Sequence, residues 1–556
     1  MKPLVPGIIG MALLAGCAQV PTSGPVVEVD QAVPDVASTS FVRALARPPR
    51  VGMSQTEIVQ GFLDAASGFE DGHAVAKLYL TPAAARQWDP DAGSRVYGNG
   101  TETLTATTQT EVTFTATQVA AISDRAQYIP ARPDTAMTQR FGLVQVDGQW
   151  RIADPPDGLL LSRAAVERSY REFQTYFVAE PGGILAPNPV LFQSSQSDVT
   201  EALVRSLLAG PGAWLAPAVI TGFPEGTQLA SVSTADGIVR VDLSEQAQQA
   251  DDVARQQLSA QLLWTLRQVP SMRGVVITAG GQPFPVAGTE AVQPRGSWPQ
   301  FNPDGLVSDA PWYLVRSGSV LSMAAPGTVA AQVPGAAGVG EPPVRHPVIS
   351  LDQTAVAATD RSPEVLTART EAGARWRPAR TTATSAGGSW DRTGLLWLPD
   401  GASGAQVVTV LGSRDVPLRL PDVRSVQVSR DGTRVVVVAG PADDARAYLL
   451  RVDRSTGPPT VSAPRQLPTG PVRAAAWASA TQVALLVEDP GQPAQVATVD
   501  LGLFSVRLLG GPPRARSVAA GPGRPLLSGT ADGQIWQFNG STWVPLVAGR
   551  QPRYPG

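Results

Sequence analysis

Beyond residue 308 the chain shows no helical periodicity, and a turn-like element recurs instead at nearly constant spacing. It reads Ser350-Leu351-Asp352, then Trp390-Asp391-Arg392-Thr393-Gly394, then Ser429-Arg430-Asp431-Gly432-Thr433, with aspartates 39 and 40 residues apart. Ala476-Trp477-Ala478 and Ser517-Val518-Ala519-Ala520 hold similar places ahead of apolar strands. An all-β repeat of roughly 40 residues is the spacing of propeller blades with four strands each. Residues 308–556 would then hold about five to seven blades. Solenoid or sandwich-pair arrangements are the alternatives. Each aspartate can tighten its turn through local hydrogen bonds, a structural role rather than metal ligation.

At 556 residues the chain exceeds what one hydrophobic core supports. Hydrophobic residues at 43% suffice for several cores, while charged residues at 16% and a net charge of -3 exclude a disordered acidic chain. No basic stripe suggests nucleic-acid binding. The single cysteine, Cys17, excludes an intramolecular disulfide, thiolate zinc and iron–sulfur clusters. Two histidines, His73 and His346, are too few for a His-rich metal site. No cofactor and no metal are expected.

Met1-Lys2 is followed by an apolar run from Leu4 to Leu14, which ends in Leu14-Ala15-Gly16-Cys17. The run is shorter than the ~20 residues needed to span a bilayer and suits a signal-peptide core. The last four residues match the bacterial lipobox. Residues 1–16 are thus expected to be a signal peptide. Cys17 is expected to be the lipidated first residue of the mature chain, carrying N-palmitoyl and S-diacylglycerol groups. A buried structural cysteine or an uncleaved anchor is the blander alternative. The Pro- and Ser-rich stretch 17–40 reads as a tether.

Ser54-Gln55-Thr56-Glu57 is a capping box ahead of the apolar face Ile58, Val59, Phe62, Leu63 and Ala66. A second helical stretch is expected from His73 to Leu80. Alternation at Val112, Phe114 and Ala116, with the turn Asp147-Gly148, predicts an antiparallel sheet. Residues 41–160 therefore read as an α+β, cone-like (NTF2-like) domain. In the bridging segment 161–195, Tyr170, Phe173, Tyr176 and Phe177 have the spacing of one helix face, suited to interdomain packing. A second α+β unit spans 196–290, with helices near Val199–Leu207 and Val253–Val269 and a turn at Asp236-Gly237. A Pro/Gly linker covers 291–307. The fold class is two α+β domains followed by an all-β, propeller-like domain.

Neither lysine, Lys2 or Lys77, has a P-loop context, and no G-x-S-x-G elbow or Ser-x-x-Lys element occurs. His73 reads as solvated surface and His346 as a loop residue, so neither suggests a triad. Asp251-Asp252 and Glu70-Asp71 are adjacent acids at helix starts, where capping outweighs glycoside hydrolysis. No catalytic residue is expected. Trp312, Trp376, Trp390, Trp397, Trp477, Trp536 and Trp543 would be core if packed between blades, or sugar-stacking platforms if gathered at a propeller mouth. Core is the expectation for most.

Together these residues resemble the LpqB family of actinobacterial lipoproteins, essentially end to end. The resemblance rests on Cys17-Ala18-Gln19-Val20-Pro21-Thr22-Ser23-Gly24-Pro25, Ile58-Val59-Gln60-Gly61-Phe62-Leu63, Tyr79-Leu80-Thr81-Pro82 and Gly148-Gln149-Trp150-Arg151-Ile152. The central unit resembles a GerMN domain in Leu207-Leu208-Ala209-Gly210-Pro211, Phe223-Pro224-Glu225-Gly226-Thr227 and Val241-Asp242-Leu243-Ser244. The resemblance implies a lipid-anchored protein on the outer face of the cell membrane. It also implies a partner, the extracytoplasmic domain of a sensor kinase of the MtrA–MtrB two-component type, and a role in cell-wall homeostasis and division. Only the lipidated cysteine carries over as a site residue, onto Cys17. A wall-glycan or peptide sensor or carrier, and a wall hydrolase, are the alternatives from other classes.

Overall fold

Ser54 starts the first helix, Gln55–Ala66, as the sequence predicts: its side chain accepts from the Glu57 backbone, and Glu57 Oε2 accepts from Ser54 N at 2.7 Å. The computed structural model describes residues 46–68, 72–305, 309–325, 328–360, 364–381, 387–400, 404–409 and 412–556. Residues 46–556 form one compact unit. Ile58, Val59, Phe62 and Leu63 face a sheet ordered Gln149–Asp154, Tyr128–Val146, Glu111–Ile122, Ser94–Tyr97, Leu159–Ser162. Phe62 meets Trp88 edge-on at 5.2 Å and Phe141 at 6.2 Å. Asp147 and Gly148 both take positive φ, 51° and 73°, in the turn that joins Val146 to Gln149. That is the hairpin geometry the Asp-Gly pair favours.

His73 departs from the solvated surface expected of it. It is 6% exposed and packs edge-on against Trp88 at 5.7 Å. Its φ of 60° turns the chain just before the helix, which shortens to Ala74–Lys77. The aromatic at Trp88 lies too far along the chain for any local pattern to announce it.

The aromatic stripe is also corrected. The helix in this segment is Arg163–Ser169, and Tyr170 to Phe177 lie in the strand Tyr170–Ala179. That strand pairs with Leu185–Gln193 on one side and Val219–Ile220 on the other. Strand geometry puts Phe173 and Phe177 on one face and Tyr170 and Tyr176 on the other. Phe173 packs on Phe192 and Tyr176 on Trp264, each within 6 Å. A stripe of β-favouring aromatics fits either period, and strand pairing decides it.

The second domain's other sheet pairs Leu229–Ala235 with Ile238–Leu243 around Asp236-Gly237, then Ile238–Leu243 in parallel with Gly274–Ala279. A parallel pair needs a crossover, and the helix Asp252–Leu266 supplies it. Leu258 to Leu266 are all buried, including Ser259, Gln261 and Thr265. Two of those polar groups answer the other sheet, since Gln261 Nε2 donates to Tyr176 O at 2.9 Å and Thr265 Oγ1 accepts from Tyr176 N at 3.2 Å, while Ser259 donates to Gln293 and accepts from Trp298. The helix is therefore buried on both sides rather than on a single leucine stripe. Residues 291–307 are expected as a linker, but their described part, 291–305, is drawn into the same core. Gln293 pairs with Val275, and Trp298 and Phe301 are buried.

Among the described residues six antiparallel four-stranded sheets follow, within the range the repeat predicts. The first strand of each sheet touches that of the next, and the series closes on itself. Closure comes from Arg550–Arg553, which joins Trp312–Arg316 so that the first blade draws on both ends of the domain. This is a six-bladed propeller. The repeated aspartates do what their spacing suggests. Asp352 Oδ1 accepts from Ser350 Oγ at 2.5 Å and Thr354 N at 3.1 Å. Asp391 Oδ1 accepts from Thr393 N and Leu395 N, and Asp431 Oδ1 from Ser429 Oγ and Thr433 N.

His346 is not in a loop. It lies in the strand Arg345–Ile349, at a register shift where its φ is 51°. Its backbone N–H donates to Gln551 Oε1 at 2.8 Å, and Gln551 Nε2 lies 3.0 Å from its Nδ1. The closing strand thus reaches across the chain to cover it. Trp312, Trp397, Trp477 and Trp543 are buried, and Trp376, Trp390 and Trp536 are half-buried against blade cores. The tryptophans are chiefly core, as expected.

Candidate functional site

The one site residue expected from sequence, Cys17, lies outside the described residues, with the signal peptide and tether. Within 46–556, polar and charged side chains bridge the joints between domains. Arg163 Nη2 of the first domain donates to Phe504 O of the propeller at 3.1 Å, and Tyr128 stacks on the Phe504 ring. Arg392 Nη1 of the propeller donates to Pro181 O of the second domain at 2.7 Å. Asp304 Oδ1 accepts from Ala480 N at 2.7 Å. Trp214 Nε1 donates to Ala463 O at 2.9 Å, and Arg451 Nη1 returns a bond to Trp214 O at 2.8 Å. Hydrophobic burial runs across the same joints, since first-domain residues and Leu449, Leu501 and Phe504 share one core.

Two propeller turns add buried ion pairs. Asp391 Oδ2 accepts from Arg454 Nη2 at 2.7 Å and from Trp397 Nε1 at 2.9 Å. Asp431 Oδ2 pairs with Arg434, and both side chains are at most 3% exposed. Each carboxylate oxygen is engaged by a neighbour that holds the turn. Glu172 is different. Burial, reinforced by the Asp500 carboxylate, pushes its carboxyl well above the usual range. A second carboxylate this close raises the cost of ionising Glu172. Burial likewise raises Asp304. These groups are tuned by being sealed into joints rather than by an open cleft.

The propeller channel is filled from within. Arg430 Nη2 donates to Pro555 O at 3.0 Å and Nη1 to Trp477 O at 3.2 Å. Tyr554 Oη donates to Pro525 O at 2.9 Å, and Gly556 N to Ile349 O at 2.9 Å. Burial pushes Arg430 down to about 10. A space of about 20 Å³ remains beside Gln427, Trp477 and Arg553, enough for about one water.

The remaining sequence candidates resolve individually. Asp251 caps its helix, accepting from Ala254 N at 2.8 Å. Glu70-Asp71 lie outside the described residues. Burial and the neighbouring arginines Arg553 and Arg345 push His346 down to about 4. Among the described residues no group of three His, Cys, Asp or Glu side chains could hold a metal ion. No described helix is long and apolar enough to cross a membrane. Sequence reasoning missed Glu172, Arg163, Arg392, Arg430 and Arg451. No local pattern announces them, because the partners of Arg163, Arg392, Arg430 and Arg451 lie far along the chain.

Three family models match in the order of the three domains. They are the lipoprotein LpqB N-terminal domain over residues 48–167, the sporulation and spore germination module over 174–284, and the lipoprotein LpqB β-propeller domain over 318–555. A lipoprotein LpqB of Thermobifida fusca is 33% identical, covering 98% of this chain and 97% of its own. The chain belongs to the LpqB lipoprotein family. An LpqB of Streptomyces coelicolor is 29% identical, covering 98% of this chain and 96% of its own. Family membership thus holds from end to end and includes the central GerMN module. Among solved structures, TolB from Acinetobacter baumannii is 12% identical with a TM-score of 0.36, covering 59% of this chain and 99% of its own.

Proposed function

We propose that this LpqB-family protein is a lipid-anchored envelope protein that works by binding, as an accessory of a membrane sensor kinase of the MtrA–MtrB type. The observation that carries the reading is the family match across the whole length. The lipobox at Leu14-Ala15-Gly16-Cys17 supports the anchor. Two acyl groups on Cys17 hold firmly where one chain binds only reversibly. Anchoring confines the body to the membrane surface and raises its effective concentration near a membrane-bound partner. The partner's signalling changes only if binding favours one kinase state over another. A body whose joints are locked by buried bonds suits that task, because it can present one fixed surface.

The test has two parts. Cys17→Ser should move the protein from membranes to the soluble fraction. A mature-size, unacylated chain that stays with membranes sinks the anchor. The Cys17→Ser protein should also bind the purified outer domain of the kinase. Absence of that binding at both low and high salt, together with specific binding to wall glycans, would replace the kinase reading with a glycan sensor. Release of reducing ends or peptides from peptidoglycan would make the protein a hydrolase.

A further inference from the structure

All three domains meet around a cavity of about 50 Å³ that the contacts above leave open. Gln127 and Ile129 come from the first domain, Asn188 and Trp214 from the second, and Arg434 and Arg465 from the propeller. Charge on its walls is unbalanced. Arg434 spends Nη2 on Asp431, while its buried Nε has no hydrogen-bond partner among the described residues. Arg465 lies over the Trp214 ring at 4.6 Å, and burial beside Arg451 pushes it down to about 10. Arg451 itself bonds only neutral oxygens, Trp214 O and Ser462 Oγ, each at 2.8 Å. Behind the wall at Gly502 lies Glu172, whose carboxyl burial and Asp500 favour in the neutral form. Of the three guanidinium groups, Arg434 alone has a carboxylate ion pair among the described residues, and that partner, Asp431, is already engaged by its turn.

The opening chooses among anions by size and shape. One water needs roughly 10–15 Å³ of such space, so this one takes about three or four non-hydrogen atoms. A planar carboxylate with its first carbon fits that volume, and guanidinium forks match carboxylate geometry. We propose that the three-domain cavity binds the carboxylate of a small molecule or peptide end, through Arg465 and the free Nε–H of Arg434. The idea is independent of the kinase reading. A ligand held there touches all three domains and stabilises their joined state in proportion to its occupancy.

Acetate is the minimal probe. Purified full-length protein in detergent would be titrated with sodium acetate against sodium chloride at constant ionic strength, following melting temperature and heat of binding. Acetate should bind saturably and raise the melting temperature, while chloride should not. Arg465→Gln should weaken acetate roughly tenfold or more, the loss expected for a charged hydrogen bond. Ile129→Glu places a negative charge at the half-exposed rim, 41% exposed. It should weaken acetate similarly without lowering the unliganded melting temperature, and it decides the matter if Arg465→Gln fails to fold. D-alanyl-D-alanine and glucuronate separate a peptide source from a sugar-acid source, since the true class should bind more tightly than acetate. A response to acetate no larger than to chloride, or equal affinity in wild type and Ile129→Glu, overturns the site.

Discussion

The propeller turns and the domain joints bury similar chemistry, carboxylates and guanidinium groups, in opposite ways. At the turns most partners are near in sequence, Arg454 on Asp391 being the long-range exception. Asp431 holds Ser429, Thr433 and Arg434, all within three positions. At the joints the partners lie far apart, as with Arg163 and Phe504, or Arg392 and Pro181. Local bonds repeat blade by blade and leave a readable spacing. Joint bonds occur once each and leave none. At the joint, burial and the Asp500 carboxylate push the Glu172 carboxyl well above the usual range.

Removing a turn carboxylate should have the largest effect. Asp431→Ala leaves Arg434 buried without its counter-charge, which costs about 3–5 kcal/mol; chemical denaturation should show it. If the loss is under ~1 kcal/mol, the turn pair contributes no more than an exposed one. His346 comes next. Its folded pKa of about 4 lies below the ordinary 6.5. The neutral ring therefore contributes fully above pH 6.5, and stability falls as pH drops from there toward 4. His346→Asn should remove that slope, a difference of up to about 3 kcal/mol at the acid end.

Glu172 should show the reverse sign. Its folded pKa is raised above 4.5, so its contribution is full below that value and fades as pH rises through the folded pKa. Glu172→Gln should flatten the alkaline loss, at a rate on the order of 1.4 kcal/mol per pH unit within the window. A pair of melting curves at acid and alkaline pH separates the two variants, and slopes of equal sign would erase the contrast between strand closure and joint. The smallest effect belongs to Asp352→Ala. Its side chain serves the same kind of turn with no arginine ion pair among the described residues, so the loss should be roughly 0.5–1.5 kcal/mol. A loss as large as that of Asp431→Ala would show that the local bonds, not the buried ion pair, dominate.

Much of the fold was legible because its signals are short-ranged. The capping box at Ser54, the Asp-Gly hairpins at 147 and 236, and the aspartate turns each act within about five residues. Misreadings arose where a local pattern admits two solutions. The Tyr170–Phe177 stripe satisfies a helix or a strand, and pairing with Leu185–Gln193 selects the strand. Pro- and Gly-rich text around Trp298 suggests a linker, yet burying two aromatics outweighs leaving it in solvent. His73 and His346 look solvated until Trp88 and Gln551 arrive from elsewhere in the chain.

Sequence alone determined the order of the three domains, the blade repeat, the lipobox and membership of the LpqB family. It could do so because periodicity, turn chemistry and short motifs are properties of neighbours. Only the tertiary structure decided that the ring closes at six blades through Arg550–Arg553, that the channel is filled by Arg430 and Tyr554, and that the three domains lock around a cation-rich cavity. Those facts depend on desolvation and on partners up to hundreds of positions apart, which no window along the chain contains.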